Sequence, residues 1–157
     1  MFAAPLGDTM GRRGAGTGGH FAPAGFKPMD PDMAIVLIAT MDSVVFDTLS
    51  AEVAGEGHEV LWASNGQDAY DQTLSRKPDL LFVENALPIF NGFELVALLR
   101  GDPDVPPALP VLLIGDDAVE PHRFERSGFT AQFPKTHGYF ELREVLAAHL
   151  RPGVATW

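Results

Sequence analysis

Few side chains in this 157-residue chain have types and spacings suited to chemistry. There is no cysteine, which removes disulfides, thiolate nucleophiles and sulfur-ligated zinc. The five histidines are His20, His58, His122, His137 and His149, and no two stand at the i, i+4 spacing of a helical metal site. They read as solvated surface residues. No Gly-x-Ser-x-Gly elbow is present. The glycine run from Gly14 to Gly19 has no buried strand before it and no Lys-Ser or Lys-Thr after it, so it does not read as a phosphate cradle. What remains is carboxylates and one amine at the ends of apolar runs: Asp42, Glu84, the pair Asp116 and Asp117, and Lys135. Carboxylate oxygens can hold a hard divalent cation or accept a phosphoryl group, and a lysine can neutralise the anion. Asp42 and Asp116 are the candidates for a cation, and capping of a following helix accounts for both as well.

Those residues must be positioned by the elements around them. Ala34 to Thr40 is a continuous apolar run of strand length, as a strand covered on both faces requires. Val44, Val45, Leu49 and Val53 recur at helical spacings behind a cap at Asp42 or Ser43, and Gly57 ends the unit. The alternation continues with a strand at 60–63, in which Trp62 is expected to pack as core, and a helix from Asn65 to Pro78. A third strand covers 79–83 with Glu84 just past its end, and a helix follows from Asn91 with Glu94 completing a capping box. A strand at 110–115, a short helix at 119–127, a weak strand at 130–133 and an amphipathic helix from Tyr139 to Leu150 complete the series. Five strands alternating with five helices predict an α/β doubly wound parallel sheet. In such a sheet ligands bind where loops leave the C-terminal strand ends, which is where these carboxylates and the lysine fall.

Composition narrows the class further. Acidic residues outnumber Lys plus Arg by 21 to 11, a net charge of −10 that opposes binding to nucleic acid or an anionic membrane. Residues 1–32 hold seven of the 16 glycines and four of the 13 prolines, and their charges cancel. They read as a flexible tail, with docking through Phe21 and Phe26 as one role and an inert extension as the other. The folded domain is expected at 33–151, followed by a short C-terminal tail at 152–157. No apolar run reaches the length of a membrane span and the N-terminus lacks a secretory core, so a cytoplasmic location is expected.

Residues 33–151 resemble a receiver domain of bacterial two-component signalling. The strongest local match runs from Asp79 through Leu-Leu-Phe-Val-Glu-Asn-Ala-Leu-Pro-Ile-Phe-Asn-Gly to Leu95, with Leu87-Pro88 and Asn91-Gly92 at the family's offsets. Glu56 to Val60 and Asn65-Gly66 resemble the turn into strand two and the opening of helix two. The resemblance implies a flavodoxin-like sheet with strand order 2-1-3-4-5.

It also implies a site whose residues have changed. The phospho-accepting aspartate of the family falls on Glu84, whose extra methylene moves the carboxylate by more than about 1 Å. The acidic pair that would hold Mg²⁺ falls on Thr40 and Met41, so neither Mg²⁺ nor any other cofactor is expected. The switch positions fall on Gly115 and Gln132. Lys135 matches the family lysine, although Thr136 replaces the proline after it, and a Glu84–Lys135 ion pair is expected to tie the third and fifth strand ends. The resemblance therefore implies a stand-alone pseudo-receiver, not an enzyme, that binds a signalling protein without phosphorylation. The partner would be a histidine kinase or a downstream effector, met through helix 4, strand 5 and helix 5, where Arg123, Phe124, Arg126 and Phe129 stand together. Phe124 and Phe129 equally fit a place in the core. The competing readings are a working phosphorelay receiver, with Glu84 or Asp42 as acceptor and Mg²⁺ on Asp42 and Asp116, and a small-ligand sensor using space left by Thr40, Met41 and Gly115.

Overall fold

The computed structural model describes residues 33–115, 118–134, 139–150 and 156–157. Asp116, Asp117, Lys135, Thr136, His137 and the segment 1–32 lie outside the described residues, and so does the expected Glu84–Lys135 pair. The elements run β1 (Ile35–Ala39), α1 (Ser43–Gly55), β2 (Glu59–Ala63), α2 (Gly66–Arg76), β3 (Leu80–Glu84), α3 (Gly92–Gly101), β4 (Val111–Ile114), α4 (Pro121–Ser127), β5 (Ala131–Phe133) and α5 (Tyr139–His149). All strands are parallel, in the order β2-β1-β3-β4-β5.

Every residue of β1, β3 and β4 is buried, which is why their sequences run apolar without alternation. The period of two along each strand divides this apolar content between two cores. Leu37, Leu81, Val83 and Leu113 face Ala69 of α2 and Leu95, Val96 and Leu99 of α3. Ile38, Phe82, Leu112 and Phe133 face Leu49 and Val53 of α1 and Leu142 and Leu146 of α5. No described helix is long and apolar enough to cross a membrane.

The caps are the expected ones, resolved to single residues. Asp42 Oδ1 accepts from the N–H groups of Val44 and Val45, and Asn91 with Glu94 forms a reciprocal capping box. Helix α4 begins at Pro121 behind a Glu120 cap, two residues later than its apolar pattern suggests. Glu84 is the last residue of β3, paired in register with Ile114, where the sequence placed it just outside the strand.

Trp62 departs from the expected core position and is 43% exposed. β2 is an edge strand, and among the described residues it is α1 that covers Trp62, through Phe46 stacked at a centroid distance of 4.5 Å. At the opposite end of the sheet, the Trp157 indole N–H donates to the Pro78 carbonyl at 2.6 Å with Lys77 above its ring.

Two contacts tie the helices on the α2–α3 face. The Gly66 N–H donates to the Pro88 carbonyl, and α2 approaches so closely that a Cβ on Gly66 would run into Phe90. Tyr70 Oη donates to Asp102 Oδ2 at 2.6 Å, which holds the Asp102 carboxyl below its ordinary range and raises the Tyr70 phenol. Gly66→Ala should therefore destabilise the domain by about 2 kcal/mol or more, while Gly101→Ala, which meets open space, should be neutral or stabilising in urea denaturation. Because the Asp102 pKa is depressed, its contribution is present above the unfolded value of about 4 and lost as pH falls through the folded value. Tyr70→Phe should accordingly flatten the acid limb of stability below about pH 4, measured by denaturation at stepped pH.

Candidate functional site

At the C-terminal end of the sheet the chain brings Thr40 and Glu84 together. Thr40 directly follows β1, Glu84 closes β3, and these strands are neighbours in the sheet. Thr40 is fully buried and Glu84 nearly so. The Thr40 hydroxyl donates to Glu84 Oε1 at 2.5 Å and accepts from the Asp42 N–H at 3.0 Å. The Thr40 backbone N–H donates to the Ala63 carbonyl, and its own carbonyl accepts the Trp62 indole N–H at 2.9 Å. One residue thus joins the ends of β1, β2 and β3 and the start of α1. Behind it, Gly92 packs so tightly on the backbone of Glu84 and Asn85 that a Cβ would sit 2.8 Å from the Glu84 carbonyl oxygen.

Thr40 and Met41, both expected to leave space, behave oppositely. Thr40 turns inward and fills its place against Glu84, whereas Met41 turns outward and is 59% exposed. Asp42 spends one carboxylate oxygen on the α1 cap. Among the described residues no three carboxylates or imidazoles converge on a common point. The two residues expected at switch positions meet each other: Gln132 Nε2 donates to the Gly115 carbonyl at 2.9 Å, and the Gly115 N–H donates to the Phe133 carbonyl.

The loop after β3 carries a conformational outlier that the sequence did not signal. Ile89 has φ of 72° and is 68% exposed, a left-handed conformation that costs a β-branched residue about 1–2 kcal/mol.

The expected partner surface is only partly a surface. Phe129 is buried, set edge-on to Phe93 at 5.2 Å and stacked on half-buried Phe124 at 6.2 Å, so it belongs to the core. Its strand-adjacent position points inward, where its ring fills the α3–α4 contact. Arg123 and Arg126 are exposed, and the Arg123 guanidinium lies 4.0 Å over the Phe93 ring. Phe93, Glu120, His122, Arg123, Arg126 and Ser127 line an open groove of about 420 Å³. Phe93 was missed from sequence because its periodicity marks it as core and nothing local announces that α4 will lie across it.

A scan against protein-family models returns no match. Response regulator MprA of Mycobacterium tuberculosis is 31% identical over 112 residues, covering 71% of this chain and 47% of MprA. Protein PilH of Pseudomonas aeruginosa is 32% identical over 82 residues, covering 52% of this chain and 67% of PilH.

The chain belongs to the response-regulator receiver family. A solved structure of a putative response regulator from Chloroflexus aurantiacus superposes on this receiver with a TM-score of 0.67 at 26% identity, covering 75% of this chain and 98% of the other. Five parallel strands in the order 2-1-3-4-5 with five helices are the receiver fold, as the sequence predicted.

The Thr40–Glu84 bond makes a direct test of the site. Thr40→Val removes the donor to a buried carboxylate and the acceptor for the Asp42 N–H while keeping the volume, and should cost about 2–4 kcal/mol. Thr40→Ser retains the hydroxyl and should cost less than about 1.5 kcal/mol in the same urea titration.

Proposed function

We propose that this receiver is a pseudo-receiver, which binds a signalling protein without a phosphorylation step. The observation that carries the reading is the buried Thr40–Glu84 hydrogen bond. The carboxylate at the acceptor position is held by a side chain at the position where a receiver would carry a metal-binding acid. In-line phosphoryl transfer needs an acceptor oxygen free to approach phosphorus and a cation to neutralise the charge. Here the donor set does not fit Mg²⁺: a hydroxyl already given to Glu84, an outward thioether, and a carboxylate engaged as a helix cap.

The relay positions support the same reading. Gly115 has no hydroxyl to meet a phosphoryl oxygen, and Gln132 is bonded to the Gly115 backbone where an aromatic ring would rotate. Output then runs through noncovalent contact. The partner is a histidine kinase or a downstream effector, met on the α4–β5–α5 side, where Arg123 and Arg126 border the groove beside Phe93. Arginine set against an aromatic ring suits the composition of protein interfaces. A net charge of −10 favours a protein over nucleic acid as the occupant.

Amide NMR of the full chain, with Mg²⁺ and then beryllofluoride added, tests the reading. The expected result is no saturable shift at Thr40, Met41, Asp42 or Glu84. Saturable shifts there, spreading to Gln132 and α5, would show a working phosphorelay site and overturn the proposal.

A further inference from the structure

Among the described residues, the β2 side of the sheet's C-terminal end combines exposed apolar side chains with acidic ones. Five large apolar residues are exposed among the described residues, and four of them stand on elements at this end: Met41 (59%) after β1, Val44 (70%) in the first turn of α1, Trp62 (43%) near the end of β2 and Ile89 (68%) in the loop after β3. Their loops leave neighbouring strands. The Thr40–Glu84 bond joins the ends of β1 and β3, and the Gly66 N–H joins the start of α2 to the Ile89 loop through Pro88. The indole N–H of Trp62, its one polar group, is already given to Thr40, so the exposed part of the ring is hydrocarbon. Ile89 holds its strained conformation while pointing its side chain into solvent, an arrangement that contributes nothing to the core.

Among the described residues the charge around these side chains is acidic. Residues 33–75 contain seven carboxylates and no lysine or arginine. Glu59 and Glu56 meet Arg76 and Arg143 from outside this segment. Asp42 and Asp47 are exposed on the first turns of α1 beside Met41 and Phe46. Asp68 is linked to Trp62 through Gln72, whose amide donates to both.

We propose that this end of the receiver docks a cationic, amphipathic segment of a partner protein. Its apolar side chains cover Met41, Val44, Trp62 and Ile89, and its Lys or Arg groups meet Asp42, Asp47 and Asp68. This surface is separate from the Arg123–Arg126 groove, and it stands whether or not the receiver accepts phosphate. A second copy of the chain would bring the same acidic rim against itself, and an anionic surface would be repelled.

The test titrates the ¹⁵N-labelled full chain with a Leu/Lys peptide that has one apolar helical face, and with a peptide of the same composition scrambled to have none. Saturable shifts centred on Met41, Val44, Ile89 and the Trp62 indole N–H are expected, with affinity about tenfold or more weaker for the scrambled peptide. Val44→Ser combined with Ile89→Gly should produce a similar loss, and both sites are exposed, so the urea midpoint reports that the fold is kept. Met41→Ser with Ile89→Gly serves if Val44→Ser disturbs α1. Equal affinity for the two peptides, shifts centred on Arg123 and Arg126, or an undiminished affinity in the variants would overturn the proposal. Concentration-dependent shifts at Met41 and Val44 in the free chain would overturn it in favour of self-association.

Discussion

Thr40 is the residue through which the C-terminal end of the sheet is assembled. Its backbone N–H and carbonyl bond Ala63 and Trp62 of β2, while its hydroxyl serves Glu84 of β3 and the Asp42 amide at the start of α1. A buried hydroxyl with both its donor and its acceptor capacity used is favourable, and a buried carboxylate stripped of a donor is costly. The two residues therefore depend on each other. A longer acid at the end of β3 is compatible with burial because the neighbouring strand end supplies a short polar side chain to receive it.

The inward turn of Thr40 and the outward turn of Met41 belong together. With Thr40 turned inward, Met41 is left facing solvent beside Trp62, whose ring is fixed by Phe46 on one side and the Thr40 carbonyl on the other. The C-terminal end of the sheet thus pairs an interior hydrogen bond with exposed apolar side chains. Charge divides across the sheet as well. Residues 33–75 carry no lysine or arginine, and Arg76 at the end of α2 is paired with Glu59 of β2, whereas Arg123 and Arg126 stand exposed on the helix between β4 and β5.

Much of the fold was legible because its signals are local or periodic. Uninterrupted apolar runs marked β1, β3 and β4, since both faces of each are covered by helices. Asp42, Asn65 and Asn91 announced helix starts through a side-chain oxygen that reaches amides two or three residues on. Trp62 was misread because an edge strand and a central strand have the same local composition and differ only in what the rest of the sheet places beside them. Phe129 was ambiguous for the same reason, since an aromatic next to a weak strand suits an interface or a core equally.

The sequence by itself determined the order of elements, the doubly wound class, the charge, and which residue types occupy the strand ends. These follow from short-range pattern and from counting. Only the tertiary structure decided that Thr40 faces Glu84 while Met41 faces water, that Gln132 reaches the Gly115 carbonyl, and that Phe129 lies inside while Arg123 covers Phe93. Each of those outcomes depends on the direction of a side chain relative to an element tens of residues away. Such directions are set by strand register and helix packing, which no local window of sequence contains.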